Sequence, residues 1–143
     1  MIIRLLPNQV SKLWDAIKFA VARTDRIDNG SVPQHLNKLL TDLLNDKAQC
    51  FIRFDDERQL SAVGITRFSQ DVNTGEKTLL FSNLYSFQVV PNTVWLSDLE
   101  TMKEFARNTG CKKIVLQSSN NRVFNLAEMA GFREDYRCFS MEV

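Results

Sequence analysis

The sequence predicts a mixed α/β (α+β) fold, ordered β-α-α-β-β-β-α-β-α-β, with a mostly antiparallel sheet of six to seven strands flanked by four helices. Three observations lead there. Two helical stripes lie near the start: Val10, Leu13, Trp14, Ile17 and Ala20, then Leu36, Leu39, Leu40, Leu43 and Leu44. Strand-like runs in the middle are separated by turn signals at Asp55–Arg58 and Asp71–Gly75, as in hairpins. Beyond Pro91, an amphipathic segment leads into Gly110-Cys111-Lys112-Lys113-Ile114-Val115-Leu116, which reads as a crossover helix feeding a parallel strand.

The elements follow in order. Met1–Leu6 is a short apolar strand broken by Pro7-Asn8, and the first helix follows. Asp25–Ser31 holds Asp, Asn, Gly and Ser and reads as a loop. The second helix follows Ser31, with Pro33 favourable in its first turn. Cys50–Phe54 and Leu60–Phe68 are strands, and Gly64 inside the latter marks a bulge or a close backbone approach. Thr78–Val90 alternates with both faces substantially apolar, as in a central strand covered on both sides. The third helix carries Trp95, Leu99, Met102 and Ala106 and stops at Gly110, a left-handed cap. Lys113–Gln117 is the fifth strand, Val123–Ala130 a short helix, and Tyr136–Val143 a last strand.

Composition bounds the function classes. The chain has 143 residues, enough for one domain spanning 1–143. Its net charge of +1 supplies no field that would draw it to nucleic acid or an anionic membrane. No apolar run approaches the ~18 residues of a membrane span, and the start does not read as a signal peptide, so a cytoplasmic location is expected. Cys50, Cys111 and Cys138 match no zinc spacing or disulfide framework and read as buried thiols, with no metal expected. His35, the only histidine, is expected at the surface.

Over Val90-Pro91, Ala106, Gly110-Cys111-Lys112-Lys113-Ile114, Asn120, Leu126, Glu128 and Gly131-Phe132, the second half resembles the GNAT superfamily of acyl-CoA-dependent N-acyltransferases. The resemblance implies acetyl-CoA as cosubstrate, bound beside the fourth strand where it parts from the fifth, between Gln88 and Ser119. Backbone groups of Gln88, Val89 and Val90 would pair with the pantetheine arm. The loop region Trp95, Leu96, Ser97 and Asp98 would meet the pyrophosphate, and Asn120 and Asn125 would help order the arm. The family's phosphate loop, Arg/Gln-x-x-Gly-x-Gly/Ala, is substituted here, because no glycine lies between Gly75 and Gly110. Counting from Pro91 and from Gly110 gives placements that disagree by about one helical turn, ~4 residues. Ser97-Asp98-Leu99-Glu100 also fits a capping box, which would set two acids where the phosphates belong. Core packing is the competing role for Trp95 and Leu99, and helix capping for Asn120.

On the catalytic side, the resemblance places a general-acid tyrosine at a position occupied by Ala127. Tyr85 and Asn83 on the fourth strand are the candidates for proton transfer or for orienting a water. Packing is the competing role for Tyr85 and Tyr136, and a satisfied buried amide for Asn83. Cys138 reads as an inert buried thiol. The implied activity is transfer of an acetyl group to an amine of a small molecule or protein. The alternative is a GNAT-fold protein without catalysis that serves a protein partner, in a compact format similar to GNAT-like proteins encoded by bacteriophages. A homodimer is a further partner arrangement, and nucleic acid and membrane are not expected.

Overall fold

The structure, a computed structural model, describes residues 2–25 and 31–143. The loop expected at Asp25–Ser31 falls, over 26–30, outside the described residues. Strand β1 (Ile2–Leu5) leads through a 3₁₀ segment (Pro7–Leu13) into α1 (Trp14–Thr24) and then α2 (Val32–Leu44). Strands β2 (Ala48–Phe54), β3 (Leu60–Gln70) and β4 (Lys77–Ser86) follow as a meander. Helix α3 (Asn92–Asn108), β5 (Lys113–Leu116) and α4 (Asn121–Met129) complete the order. The strands form one sheet, β1-β2-β3-β4-β5, antiparallel except for the β4–β5 pair.

Each face of the sheet has its own core. Val10, Ile17, Val21, Leu39 and Leu43 pack against Cys50, Ile52, Val63 and Ile65 on one face. Met102 and Ala106 of α3 pack against Phe51, Leu79 and Phe81 on the other. The first stripe begins with Val10 and Leu13 in the 3₁₀ segment and continues into α1, and the second is the inner face of α2 except for Leu44, which is exposed. Gly110, at φ +80°, ends α3 as expected, since only glycine takes that backbone region without strain.

Several boundaries differ from expectation. The sheet has five strands among the described residues, where six to seven were expected. The strand expected at Tyr136–Val143 is not formed: residues 133–143 are irregular and exposed, and among the described residues their backbone makes no hydrogen bond to the body. A strand exists only through a partner, and alternation alone does not supply one. Cys138 lies in this segment and is exposed, whereas Cys50 and Cys111 are buried. Burial pushes the Cys50 thiol up to about 12. Strand β4 stops at Ser86 rather than Val90, because β3, its remaining neighbour, begins at Leu60. The last sheet-like bond there runs from the Phe87 N–H to the Ser61 carbonyl at 2.8 Å.

Pairing between β3 and β4 slips by one residue at Ser82. Ile65 pairs with Asn83 and Thr66 with Phe81, leaving Ser82 as the extra residue of a bulge. The slip reverses the alternation read from the sequence. Leu79 and Phe81 face α3, whereas beyond the bulge Leu84 does so and Tyr85 packs with the α1–α2 core.

Gly64 marks a close approach, and it lies beside the bulge. A Cβ there would sit 2.7 Å from Phe81 Cζ, so the missing side chain makes room for that ring. Gly64→Ala should push the buried Phe81 ring out of place and lower stability by about 1–3 kcal/mol in denaturant titration. Unchanged stability would mean that the ring moves at no cost.

Asp42 interrupts the apolar stripe of α2 and is buried. Its carboxylate accepts from Arg67 Nη1 of β3 at 2.6 Å and from Lys38 Nζ at 2.9 Å. These donors hold it below the usual aspartate value of 3.8. A carboxyl depressed in the folded state stabilises above its unfolded pKa, and that contribution disappears as pH falls through the folded value. Asp42→Asn should therefore cost about 1–2 kcal/mol at neutral pH, with the difference from the parent shrinking as pH drops below about 4. A difference that stays constant across that range would contradict the ion pair.

Candidate functional site

Strands β4 and β5 run together only from Thr78–Lys113 to Phe81–Leu116. One more bond joins the Gln117 N–H to the Phe81 carbonyl at 3.3 Å, and the bulge at Ser82 follows at once. Beyond it β4 stays paired to β3 and turns an unpaired edge toward the segment Gln117–Asn120. The opening is a cleft of about 450 Å³. Ser82, Tyr85 and Ser86 form one wall and Gln117–Asn120 the other, with Arg23 and Thr24 from α1, Trp95 from α3 and Arg122 from α4 around the mouth.

The cleft is cationic. Among the described residues Arg23 and Arg122 line it and no carboxylate does. Neither arginine has an acidic partner among the described residues. The Arg23 guanidinium lies 4.3 Å from the centre of the Phe19 ring. Phe19 stacks on Phe87 and meets Tyr85 edge-on, each at 5.9 Å, so an aromatic cluster holds both Arg23 and Tyr85 in place. Arg122 Nη2 lies 3.5 Å from the Val90 carbonyl oxygen, just before α3.

Helix α3 begins at Asn92, and the expected capping box falls inside it. The Val94 and Trp95 N–H groups bond to the Pro91 carbonyl at 3.0 and 3.2 Å, so the turn forms directly after the proline. No acid stands in the first turn. Asp98 instead shares the buried stripe with Met102 and Ala106. Its Oδ2 lies 3.4 Å from Arg53 Nε of β2. Burial pushes its carboxyl up, and Arg53 pulls it back. The charge objection to an anion at this helix start is therefore absent.

The other candidates separate into two groups. Tyr85, Trp95 and Asn120 come together at the cleft. Asn120 also caps α4, its Oδ1 accepting from the Arg122 N–H at 2.9 Å. Gln88 lies outside, its amide donating to Asp55 at 2.9 Å, and Val89 is 79% exposed. Val90 is buried. Leu96 and Ala127 face an apolar cavity of about 80 Å³ beneath α3 and α4, which adjoins the cleft and shares Phe81, Leu84, Trp95, Leu116, Val123 and Leu126 with it. Ser97 and Asn125 are exposed on the helices.

Asn83 takes the structural alternative. Its Nδ2 donates to Thr24 Oγ1 at 2.8 Å and to Asp25 Oδ1 at 2.6 Å, and its Oδ1 accepts from Ser82 at 2.8 Å. Asp25 also contacts His35 Nε2 at 2.6 Å, so the histidine expected at the surface has a carboxylate partner. Sequence reasoning missed this chain of contacts and both cleft arginines. Their residues are far apart in sequence and join no recognisable motif.

Removing the Asn83 amide tests this bracing. Asn83→Leu should lower stability by about 1–3 kcal/mol, because Asp25 and Thr24 lose a buried donor. Tyr85→Phe, which keeps the ring packing, should stay within about 0.5 kcal/mol of the parent in the same denaturant titration. Equal losses in the two variants would place the bracing in the aromatic cluster instead.

No protein-family model and no curated protein matches the sequence. Solved structures do match in shape. A ribosomal-protein-alanine N-acetyltransferase from Brucella melitensis biovar Abortus 2308 superposes with a TM-score of 0.72 at 14% identity, covering 100% of this chain and 99% of that one. A predicted acetyltransferase with acetyl-CoA from Clostridium acetobutylicum gives 0.73 at 15% identity, covering 99% and 95%. An aminoglycoside antibiotic 6′-N-acetyltransferase from Acinetobacter baumannii gives 0.69 at 13% identity, covering 100% and 97%. At such identities the likeness speaks for the fold. Together with the parted parallel strands, it shows that the chain has the fold of the GNAT superfamily.

Proposed function

We propose that the protein is an N-acetyltransferase that binds acetyl-CoA in the cleft between β4 and β5 and transfers the acetyl group to an amine. The observation that carries this reading is the unpaired edge of Ser82–Ser86 facing a cleft of about 450 Å³. A pantetheine arm is thin and carries amides, so it can pair with such an edge as an added strand would.

The residues present fit the cosubstrate. At the start of α3 the Asn92 and Thr93 N–H groups have no partner among the described residues, no acid stands in the first turn, and Arg122 stands beside it. Backbone donors and a guanidinium are what a diphosphate requires. They would stand in for the glycine loop that the sequence lacks. When bound, acetyl-CoA supplies the activated acyl carbon and a thiolate leaving group.

The chain's own residues do the rest. Arg23 and Arg122 make the cleft positive, which favours the neutral, nucleophilic form of an incoming amine. The Tyr85 hydroxyl holds a proton that can pass to the departing sulfur, and the phenolate can regain one from the acylated nitrogen. Asn83 acts at one remove, fixing the strand that carries Tyr85.

Acetyl-CoA should raise the melting temperature and quench fluorescence from Trp95. At a hundredfold excess over Kd the stabilisation should be about 2.7 kcal/mol. Arg122→Ala should weaken binding about tenfold without lowering the melting temperature of the free protein. Absence of any shift at millimolar ligand would remove this reading.

A further inference from the structure

We infer that the acceptor is a small amine that also carries a carboxylate, an amino acid in its free form, and that Arg23 holds that carboxylate. The inference rests on the acetyltransferase reading and narrows it to one class of acceptor.

The two arginines of the cleft stand on opposite sides of the sheet. Arg122 reaches the Val90 carbonyl at the start of α3, on the side of the core that holds Phe51, Phe81 and Met102. Arg23 belongs to α1, on the side where Tyr85 packs with the other core. A diphosphate at the start of α3 therefore occupies Arg122 and leaves the charge of Arg23 for a second anion. No acidic side chain among the described residues pairs with Arg23. Asp25, close by in the chain, is engaged elsewhere: its Oδ1 accepts from Asn83 at 2.6 Å and its Oδ2 contacts His35 at 2.6 Å.

Arg23 is also held close to Tyr85. Its guanidinium lies 4.3 Å from the centre of the Phe19 ring, and Phe19 meets Tyr85 edge-on at 5.9 Å, so the same ring contacts both. The Asn83 amide ties the end of α1 to β4 by donating to Thr24 and Asp25. The planar fork of a guanidinium matches the two oxygens of a carboxylate. An amino acid carries its amine next to its carboxylate, so it can set one at Arg23 and turn the other toward the thioester beside Tyr85. There the nitrogen bonds to the acyl carbon as the carbon–sulfur bond breaks. The Tyr85 proton leaves with the CoA thiol, and the proton given up by the nitrogen replaces it. Amines with further positive charge meet two guanidiniums and no carboxylate among the described lining residues, which selects against them.

Release of the CoA thiol from acetyl-CoA, with products read by mass spectrometry, tests this. An equimolar mixture of free α-amino acids should react about tenfold faster than the same compounds as α-amides, and spermidine should react more slowly still. Arg23→Gln should cut the rate with the acids about tenfold and bring it level with the amides. For the acid used best, that loss should lie in KM rather than kcat. Arg23→Lys should keep part of the preference. Thermal unfolding with acetyl-CoA separates the two levels of the reading. If acetyl-CoA raises the melting temperature but the amides react as fast as the acids, or neither mixture reacts, the acceptor class is wrong while cosubstrate binding stands. A preference for acids that survives in Arg23→Gln overturns the inference as well. No shift with acetyl-CoA removes the acetyltransferase reading, and this inference with it.

Discussion

One extra residue in β4 organises the working part of this molecule. At Ser82 the strand gains a residue that β3 does not match, and three consequences follow. The parallel pairing with β5 ends there, so the sheet opens. The alternation of side chains reverses, which carries Asn83 and Tyr85 to the side of α1. The strand's free edge is left facing the cleft. The bulge itself is held from both sides: Ser82 Oγ reaches the Ile65 carbonyl at 3.3 Å, and Asn83 ties the next residue to the end of α1. Gly64, next to Ile65, leaves room for the Phe81 ring just before the slip.

Much of the fold was legible because local signals agreed with the tertiary outcome. Of the stripe Leu36, Leu39, Leu40, Leu43 and Leu44, all but the exposed Leu44 are buried against the sheet or packed at its margin. Pro91 comes directly before the first turn of α3, and Gly110 ends that helix at φ +80°. Gly64 was read as a bulge or a close approach. The approach is real, and the bulge is in the neighbouring strand. A bulge belongs to a pair of strands, so the even spacing of Leu79, Phe81, Asn83 and Tyr85 could not reveal it.

The site was less legible for the same physical reason. Ser97-Asp98-Leu99-Glu100 has the local chemistry of a helix start, yet Pro91 starts the helix earlier and rotates Asp98 onto the buried stripe beside Arg53. Arg23 and Arg122 come from segments about a hundred residues apart and meet only across the cleft. Tyr136–Val143 had the pattern of a strand and no backbone partner among the described residues. Under the proposed function, a helix start free of acids with a guanidinium next to it would take the place of the phosphate-loop glycines that the sequence lacks.

The central claim is that the strands part in order to hold a thioester-bearing chain. Amide hydrogen exchange read residue by residue, with and without acetyl-CoA, tests it most directly. The account predicts slowed exchange within Ser82–Ser86 and Gln117–Asn120 on adding the ligand, with β2 and the α1–α2 face unchanged. Protection elsewhere, or none at saturating ligand, would contradict it.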